Sequence, residues 1–321
     1  MPRRSGLLVA GLAALALAAL ALAGCSADGS SESTAARPAA SLPPPRVVPG
    51  AVTLAAAGDI ACGPQEVHSA ISCHQSQTAA LLASLRSDAV LPLGDLQYPT
   101  GKASDFRAIF ARTWGRFLVR MRPTPGNHEY ATPGAAGYYA YFGSRAGPGR
   151  RGYYSYDLGG WHLVSLNANC GKVGCRTGSA QERWLRADLA AHPVRCTLAY
   201  WHQPRFSSGL HGNDSRLVPL WRDLQLAGAD VVLSGHDHDY ERFAPKDASG
   251  GLDPAHGMVE FVVGTGGENH YPVFRHERGS LRHSNFTFGV LSLTLRPDSY
   301  SWRFVPERGA SFTDAGSSPC R

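Results

Sequence analysis

Asp59, Asp95, Asn127, His202, His236 and His238 each stand at or just past the end of a short apolar run, most of them behind a glycine. Tyr98 follows Asp95 by three residues. Carboxylate, amide, phenol and imidazole donors without thiolates suit Fe, Mn or Zn. Seven such donors exceed the needs of one ion. A carboxylate shared by two ions about 3.5–4 Å apart, the arrangement of two-metal hydrolytic sites, uses the set naturally. His236 and His238, two apart, can reach either side of such a centre. Other hydrolytic signatures are missing. The chain has no H-E-x-x-H helix, no G-x-S-x-G elbow and no C-x-x-C pair.

The elements that must carry these residues follow one grammar. Val52 to Ala57 runs into Gly58-Asp59, and Ala89 to Leu93 into Gly94-Asp95. Arg122 to Pro125 leads to Gly126-Asn127-His128-Glu129, Cys196 to Trp201 leads to His202, and Val231 to Ser234 leads to Gly235-His236-Asp237-His238. Four of the five runs have the continuous apolar character of buried strands, and the third, with two prolines, is a weak strand. Helical patterns intervene at Gln75 to Arg86, Ser179 to Ala191 and Asp214 to Leu226. Strand, polar loop and helix in alternation is the α/β rhythm, in which ligands bind beyond the carboxyl ends of the strands. Any one buried Asp or His reads as a satisfied core residue. The same position recurring after five runs points instead to convergence on one rim.

G-D-x-x-Y at Gly94–Tyr98, G-N-H-E at Gly126–Glu129, an isolated His202 after a strand, and G-H-x-H at Gly235–His238 together resemble the calcineurin-like metallophosphoesterase superfamily. Tyr98 and the stretch Gly235 to Arg242 are similar to its purple acid phosphatase branch. The resemblance implies a four-layer α/β/β/α sandwich, with the metal site at the strand C-terminal ends and residues 51–321 forming a single domain. It implies one ion held by Asp59, Asp95, Tyr98 and His238, and a second held by Asp95 as bridge, Asn127, His202 and His236. One departure is visible. The first motif is usually D-x-H or D-x-G in the family but reads Asp59-Ile60-Ala61 here, which leaves the local turn in question. Tyr98 replaces the missing ligand in the purple branch. Two carboxylates and a phenolate suit a trivalent ion, Fe(III), and the imidazole-rich half suits a divalent Fe, Zn or Mn.

The activity so implied is hydrolysis of phosphoric esters by a metal-held hydroxide, foremost of phosphomonoesters, with a phosphodiesterase or nucleotidase as alternative. A non-catalytic metal-binding surface module and a redox metalloprotein are the other classes. His128 would stabilise the phosphoryl group, and His211, nine residues after His202, would protonate the leaving oxygen. His68, His74, His162, His192, His256, His270, His276 and His283 read as solvated or structural. Arg205 is assigned to the surface, and Glu241 and Arg242 to a structural pair beneath the metal loop. Tyr138, Tyr139, Tyr141, Phe142, Tyr153, Tyr154 and Tyr156 alternate like packed strands around a Gly-rich hairpin. The Asn285-Phe286-Thr287 sequon is discounted.

Arg3 and Arg4, an apolar stretch from Leu7 to Ala23, and Leu22-Ala23-Gly24-Cys25 form an export signal with a bacterial lipobox. Residues 1–24 would be removed, and lipidated Cys25 would hold the protein at the outer side of the cytoplasmic membrane. An uncleaved anchor and a twin-arginine signal are the alternatives. Residues 25–50, rich in Ser, Ala and Pro, read as a disordered tether. Six further cysteines suit an oxidising compartment. Close spacing favours Cys62–Cys73 and Cys170–Cys175, leaving Cys196–Cys320. A formal charge of +6 without a basic run gives no argument for nucleic acid as a specific partner; a small phosphorylated substrate is the expected one.

Overall fold

A computed structural model describes residues 50–273 and 275–321. The expected signal segment, and all but the last residue of the expected tether, lie outside the described residues.

Four of the five apolar runs become strands: β1 (Val52–Ala57), β2 (Ala89–Pro92), β5 (Cys196–Tyr200) and β6 (Val231–Ser234), with β3 (Tyr154–Leu158) and β4 (Trp161–Ser165) between them. The third run is no full strand. It makes single parallel bridges, Met121 to Val90 and Thr124 to Leu93, because its prolines cannot donate to a ladder. After β6 come β7 (Tyr240–Phe243), β8 (Val259–Val263), β9 (Ser280–Ser284), β10 (Gly289–Arg296), β11 (Ser299–Pro306) and β12 (Ala315–Pro319).

Two sheets result, one ordered β12-β11-β10-β1-β2 and the other β3-β4-β5-β6-β8-β7-β9. β1 and β2 are parallel, as are β4, β5, β6 and β8. Successive side chains of the second sheet divide between two cores, as strand pleating requires. Leu163, Leu198, Leu233 and Phe261 join Leu54, Leu91, Leu291 and Phe304 of the first sheet in one buried cluster. Val164, Ala199, Val232 and Val262 face the other way and pack with Leu185, Leu220, Trp221 and Leu224.

The helices are α1 (Gln75–Leu85), α2 (Ala103–Ala108), α3 (Ala136–Phe142), α4 (Cys170–Val173), α5 (Ala180–Ala191) and α6 (Val218–Leu226). α5 and α6 cover the second sheet, and α1 leans on β10 of the first, which completes the α/β/β/α layering. Ser179 caps α5 by accepting the Glu182 N–H at 3.3 Å. Asp214 caps the turn before α6 by accepting the Arg216 N–H at 2.9 Å.

The three disulfides are Cys62–Cys73, Cys170–Cys175 and Cys196–Cys320, as spacing favoured. The aromatic stretch differs from expectation. Tyr138, Tyr139, Tyr141 and Phe142 lie on α3, not on a strand, and only Tyr154 and Tyr156 are in β3. Spacings of three and four put Tyr138, Tyr141 and Phe142 near one helical stripe. Phe106 and Phe110 complete that stack, with Phe106–Tyr141 ring centroids 5.1 Å apart.

Candidate metal centre

The carboxyl ends of β1, β2, β5 and β6 meet where the two sheets touch. The His202 Nδ1 donates to the Leu93 carbonyl at 2.8 Å, and the Gly58 N–H donates to Val263 at 2.8 Å. These bonds fix the tips of one sheet on the tips of the other. The departure at Ala61 is accommodated. The N–H groups of Asp59, Ile60 and Ala61 donate in turn to the carbonyls of Gly94, Asp95 and Leu96 at 3.0 to 3.2 Å. The first turn is therefore held by its backbone, without a side chain at position 61.

The rim carries backbone strain. Asp59, Asp95 and His236 have φ of 59°, 48° and 71°, the left-handed region that such residues enter only when their surroundings impose it. Glycines allow the crowding. A Cβ on Gly94, itself at φ +85°, would lie 2.6 Å from the His202 ring, and one on Gly126 would lie 2.1 Å from Asp95 Oδ1.

On one side of the rim, Tyr98 Oη lies 2.9 Å from Asp59 Oδ1, 3.3 Å from Asp95 Oδ2 and 3.0 Å from His238 Nε2. His238 Nε2 is itself 3.2 Å from Asp59 Oδ1. On the other side, His202 Nε2 is 3.0 Å from the same Asp95 Oδ2 and 3.2 Å from His236 Nδ1. One carboxylate oxygen thus faces both groups. All of these side chains except that of His236 are buried.

Burial alone would raise the Asp95 carboxyl, but His202 and its neighbours hold it below the usual carboxylate range. Burial, then the positive field of His202, drives His236 well below an ordinary imidazole. His202 is raised against its burial by Asp95 and Asp59. Burial, then Asp59 and Asp95, pushes the Tyr98 phenol far up. The two carboxylates therefore favour positive charge on His202 and disfavour negative charge on Tyr98. This donor chemistry fits metal ions: carboxylates and a phenol for a hard ion, and a carboxylate with two imidazoles for a borderline one.

Asn127 is half-buried on the loop after Gly126, and its Oδ1 accepts from Gln203 Nε2 at 3.3 Å. Its partner Gln203 follows His202 in the chain, and no hydrogen bond joins Asn127 to His202 or His236. His128 Nδ1 donates to the Pro99 carbonyl at 2.6 Å, which leaves Nε2 3.8 Å from Asp95 Oδ2. His211 stacks on His236 with ring centroids 4.1 Å apart, so it is at the site.

Three supporting carboxylates went unassigned in the sequence. Buried Glu129 accepts the N–H groups of Asp95 at 2.9 Å, Leu96 at 2.9 Å, Gln97 at 3.4 Å and Gly126 at 2.7 Å. It ties two tips together. Burial and then Asp95 raise its carboxyl to about 7, against the Gly126 and Leu96 N–H groups. Buried Asp237 accepts from His211 Nδ1 at 3.0 Å, from the His211 N–H at 2.8 Å and from Ser207 Oγ at 2.5 Å. Glu268 lies 3.4 Å from His238 Nδ1, which also meets Asn269 Oδ1. The signal for the first two was available, since Glu129 and Asp237 sit inside the motifs, between or beside the ligands.

Two assignments need correction. Glu241 and Arg242 are not a pair. Neighbours on β7 point to opposite faces, so Glu241 accepts from Ser208 while Arg242 donates to Asp314 at 2.6 Å. Arg205 is not a surface residue. It is 6% exposed, donates to the Ala248 carbonyl at 3.0 Å and covers Phe206, because its stem finds more apolar surface inward.

Residues 53–240, more than half of the chain, match the family model of calcineurin-like phosphoesterases. The chain belongs to that family. Within it, the chain is purple-acid-phosphatase-like. It is 27% identical over 278 residues to purple acid phosphatase 15 of Arabidopsis thaliana, across 74% of this chain and 50% of that one. With human acid phosphatase type 7 it shares 29% over 191 residues, 49% of this chain and 41% of the relative. A purple acid phosphatase from yellow lupin seeds superimposes with a TM-score of 0.63 at 18% identity, covering 83% of this chain and 53% of the other. The chain thus spans about half the length of these relatives.

Proposed function

We propose that this protein is a phosphomonoesterase of the acid phosphatase type, with a dinuclear centre that takes Fe(III) and a divalent Fe, Zn or Mn. The observation that carries the reading is the position of Asp95 Oδ2, 3.3 Å from Tyr98 Oη and 3.0 Å from His202 Nε2, as a bridging ligand requires. Asp59, Asp95, Tyr98 and His238 would hold one ion; Asp95, Asn127, His202 and His236 would hold the other. When bound, the ions supply a water-derived nucleophile at neutral pH and positive charge for the phosphoryl oxygens.

The chain's own residues do the rest. With Nδ1 committed to the Pro99 carbonyl, His128 would turn Nε2 towards a phosphoryl oxygen. His211 donates Nδ1–H to Asp237, which fixes the ring and leaves Nε2 to pass a proton to the leaving oxygen. Glu129 keeps Asp95 and the Gly126 loop at a constant separation, a positioning role through backbone alone. We further propose export and attachment to the outer side of the membrane through lipidated Cys25. Three disulfides support an oxidising compartment.

The test is metal content and hydrolysis of matched chromogenic monoesters and diesters by wild type and Asp95→Ala. The reading predicts two ions per wild-type chain, preference for the monoester, and loss of both ions and nearly all activity in the variant. Two ions retained by Asp95→Ala would refute the bridge, and a diester preference would move the reading to a phosphodiesterase.

A further inference from the structure

Beside the metal centre lies a cavity of about 520 Å³ whose walls include Ile71, His270, Tyr271, Val273, His283 and Phe286. Among the described residues no carboxylate lines it. Tyr271 is the shared wall. One face of its ring stacks on His238 with centroids 3.9 Å apart, and its ring lies 5.5 Å from that of His211. The walls are pinned rather than loose. Asn285 Nδ2 donates to the Tyr271 carbonyl at 2.9 Å, and His270 Nδ1 donates to the His238 carbonyl at 3.0 Å. Ile71 is carried by the loop closed by Cys62–Cys73, and that loop is bonded through the Cys73 N–H to Glu268 at 2.8 Å.

Two side chains of the rim are costly to leave in water. Ile71 is 66% exposed and Phe286 84% exposed. Large apolar side chains gathered at the mouth of a cavity mark a binding surface more often than one scattered alone. The volume falls within the usual range for small-molecule sites. What enters can be argued from the chemistry next door. His211, the residue placed to protonate the leaving oxygen, and Tyr271 are neighbours. A substituent on that oxygen would therefore lie near the Tyr271 ring, which shares its cavity with Val273 and Phe286.

We propose that this cavity is the leaving-group subsite and that it selects phosphoesters of aromatic or branched apolar alcohols. The inference rests on the phosphoesterase reading above. A polyol in the same place would set its hydroxyls against Ile71, Val273 and Phe286 without partners, which loses affinity. An apolar alcohol leaves water for the carbon surface of Ile71, Val273 and Phe286, gaining affinity with each buried methylene. The histidines of the wall tolerate the ester's negative charge, which a carboxylate there would repel.

The test compares kcat/KM for phenyl phosphate and 4-tert-butylphenyl phosphate, whose leaving groups are of closely similar acidity but differ by four carbons. Wild type, Ile71→Ser with Phe286→Ser, and Val273→Asp are assayed after metal loading, with metal content measured for each. The wild type should favour the larger ester by about tenfold. Both variants should keep two ions and lose most of that preference, with kcat/KM for the larger ester falling further than that for phenyl phosphate. Equilibrium binding of free 4-tert-butylphenol should weaken in parallel. If phenyl phosphate is hydrolysed but the wild type shows no preference, or the variants keep it, the subsite is refuted and the phosphoesterase reading stands. If neither ester is hydrolysed by metal-loaded wild type, both fall together.

Discussion

Replacing Glu129 by Gln should destabilise the protein without touching a metal ligand. The carboxylate receives four backbone N–H groups: Oε2 takes Asp95 at 2.9 Å and Gly126 at 2.7 Å, while Oε1 takes Leu96 at 2.9 Å and Gln97 at 3.4 Å. In Gln, one of these oxygens becomes an NH2 that cannot accept. Whichever way the amide turns, at least one strong and one further N–H lose their acceptor in a fully buried place. Each such loss costs about 1–3 kcal/mol, so the variant should be about 2–6 kcal/mol less stable. For a domain of this size that is a fall in Tm of about 5–15 °C. The freed tips of β2 and the Gly126 loop should also separate, which weakens metal affinity by about tenfold or more. Thermal unfolding in chelator measures the first effect, and metal titration of the folded variant measures the second. A Tm within about 1 °C of wild type, together with unchanged metal affinity, would refute the clamp.

Other consequences reach the rest of the site and the far end of the sheet. Iron-loaded wild type should show a visible phenolate-to-Fe(III) band, and Tyr98→Phe should lose it while its far-ultraviolet circular dichroism stays the same. His211→Ala should keep its metal and lose turnover most for esters with poor leaving groups, read from a series of substituted aryl phosphates; an equal loss across the series would contradict the acid role. Away from the site, His162 lies between Asp157 at 2.8 Å and Asp188 at 2.9 Å. Its burial lowers the imidazole pKa, but the two carboxylates override this and raise it above 6.5. A folded pKa above the unfolded one gives stability that is full below about pH 6.5 and lost as pH rises through the raised value. Denaturant midpoints from pH 6 to 9 should fall in wild type and stay flatter in His162→Gln.

The metal rim was legible because its signals are local. Most of the donors lie at or just past a strand tip, and the parallel pairs β1–β2 and β5–β6 carry those tips to one edge whatever the details of packing. The close disulfides were legible for the same reason. What the sequence withheld depends on where a side chain turns after the backbone is placed. Glu129 reads as one more acidic residue in a motif until four N–H groups are seen to close on it. Adjacent Glu241 and Arg242 look like a pair, yet strand pleating sends them to Ser208 and Asp314. Arg205 looks exposed on charge alone, but its methylenes and guanidinium lie over Phe206. The tyrosines at 138–142 carry strand-forming composition, and the contacts with Phe106 and Phe110 override that preference in favour of α3.

The central claim is that one carboxylate oxygen joins two ions. Anomalous diffraction from crystals loaded with iron and zinc tests it directly. Two peaks about 3.5–4 Å apart are expected, both within bonding distance of Asp95, one beside Tyr98 and His238 and the other beside His202 and His236. A single peak, or a pair that Asp95 does not bridge, would contradict the account.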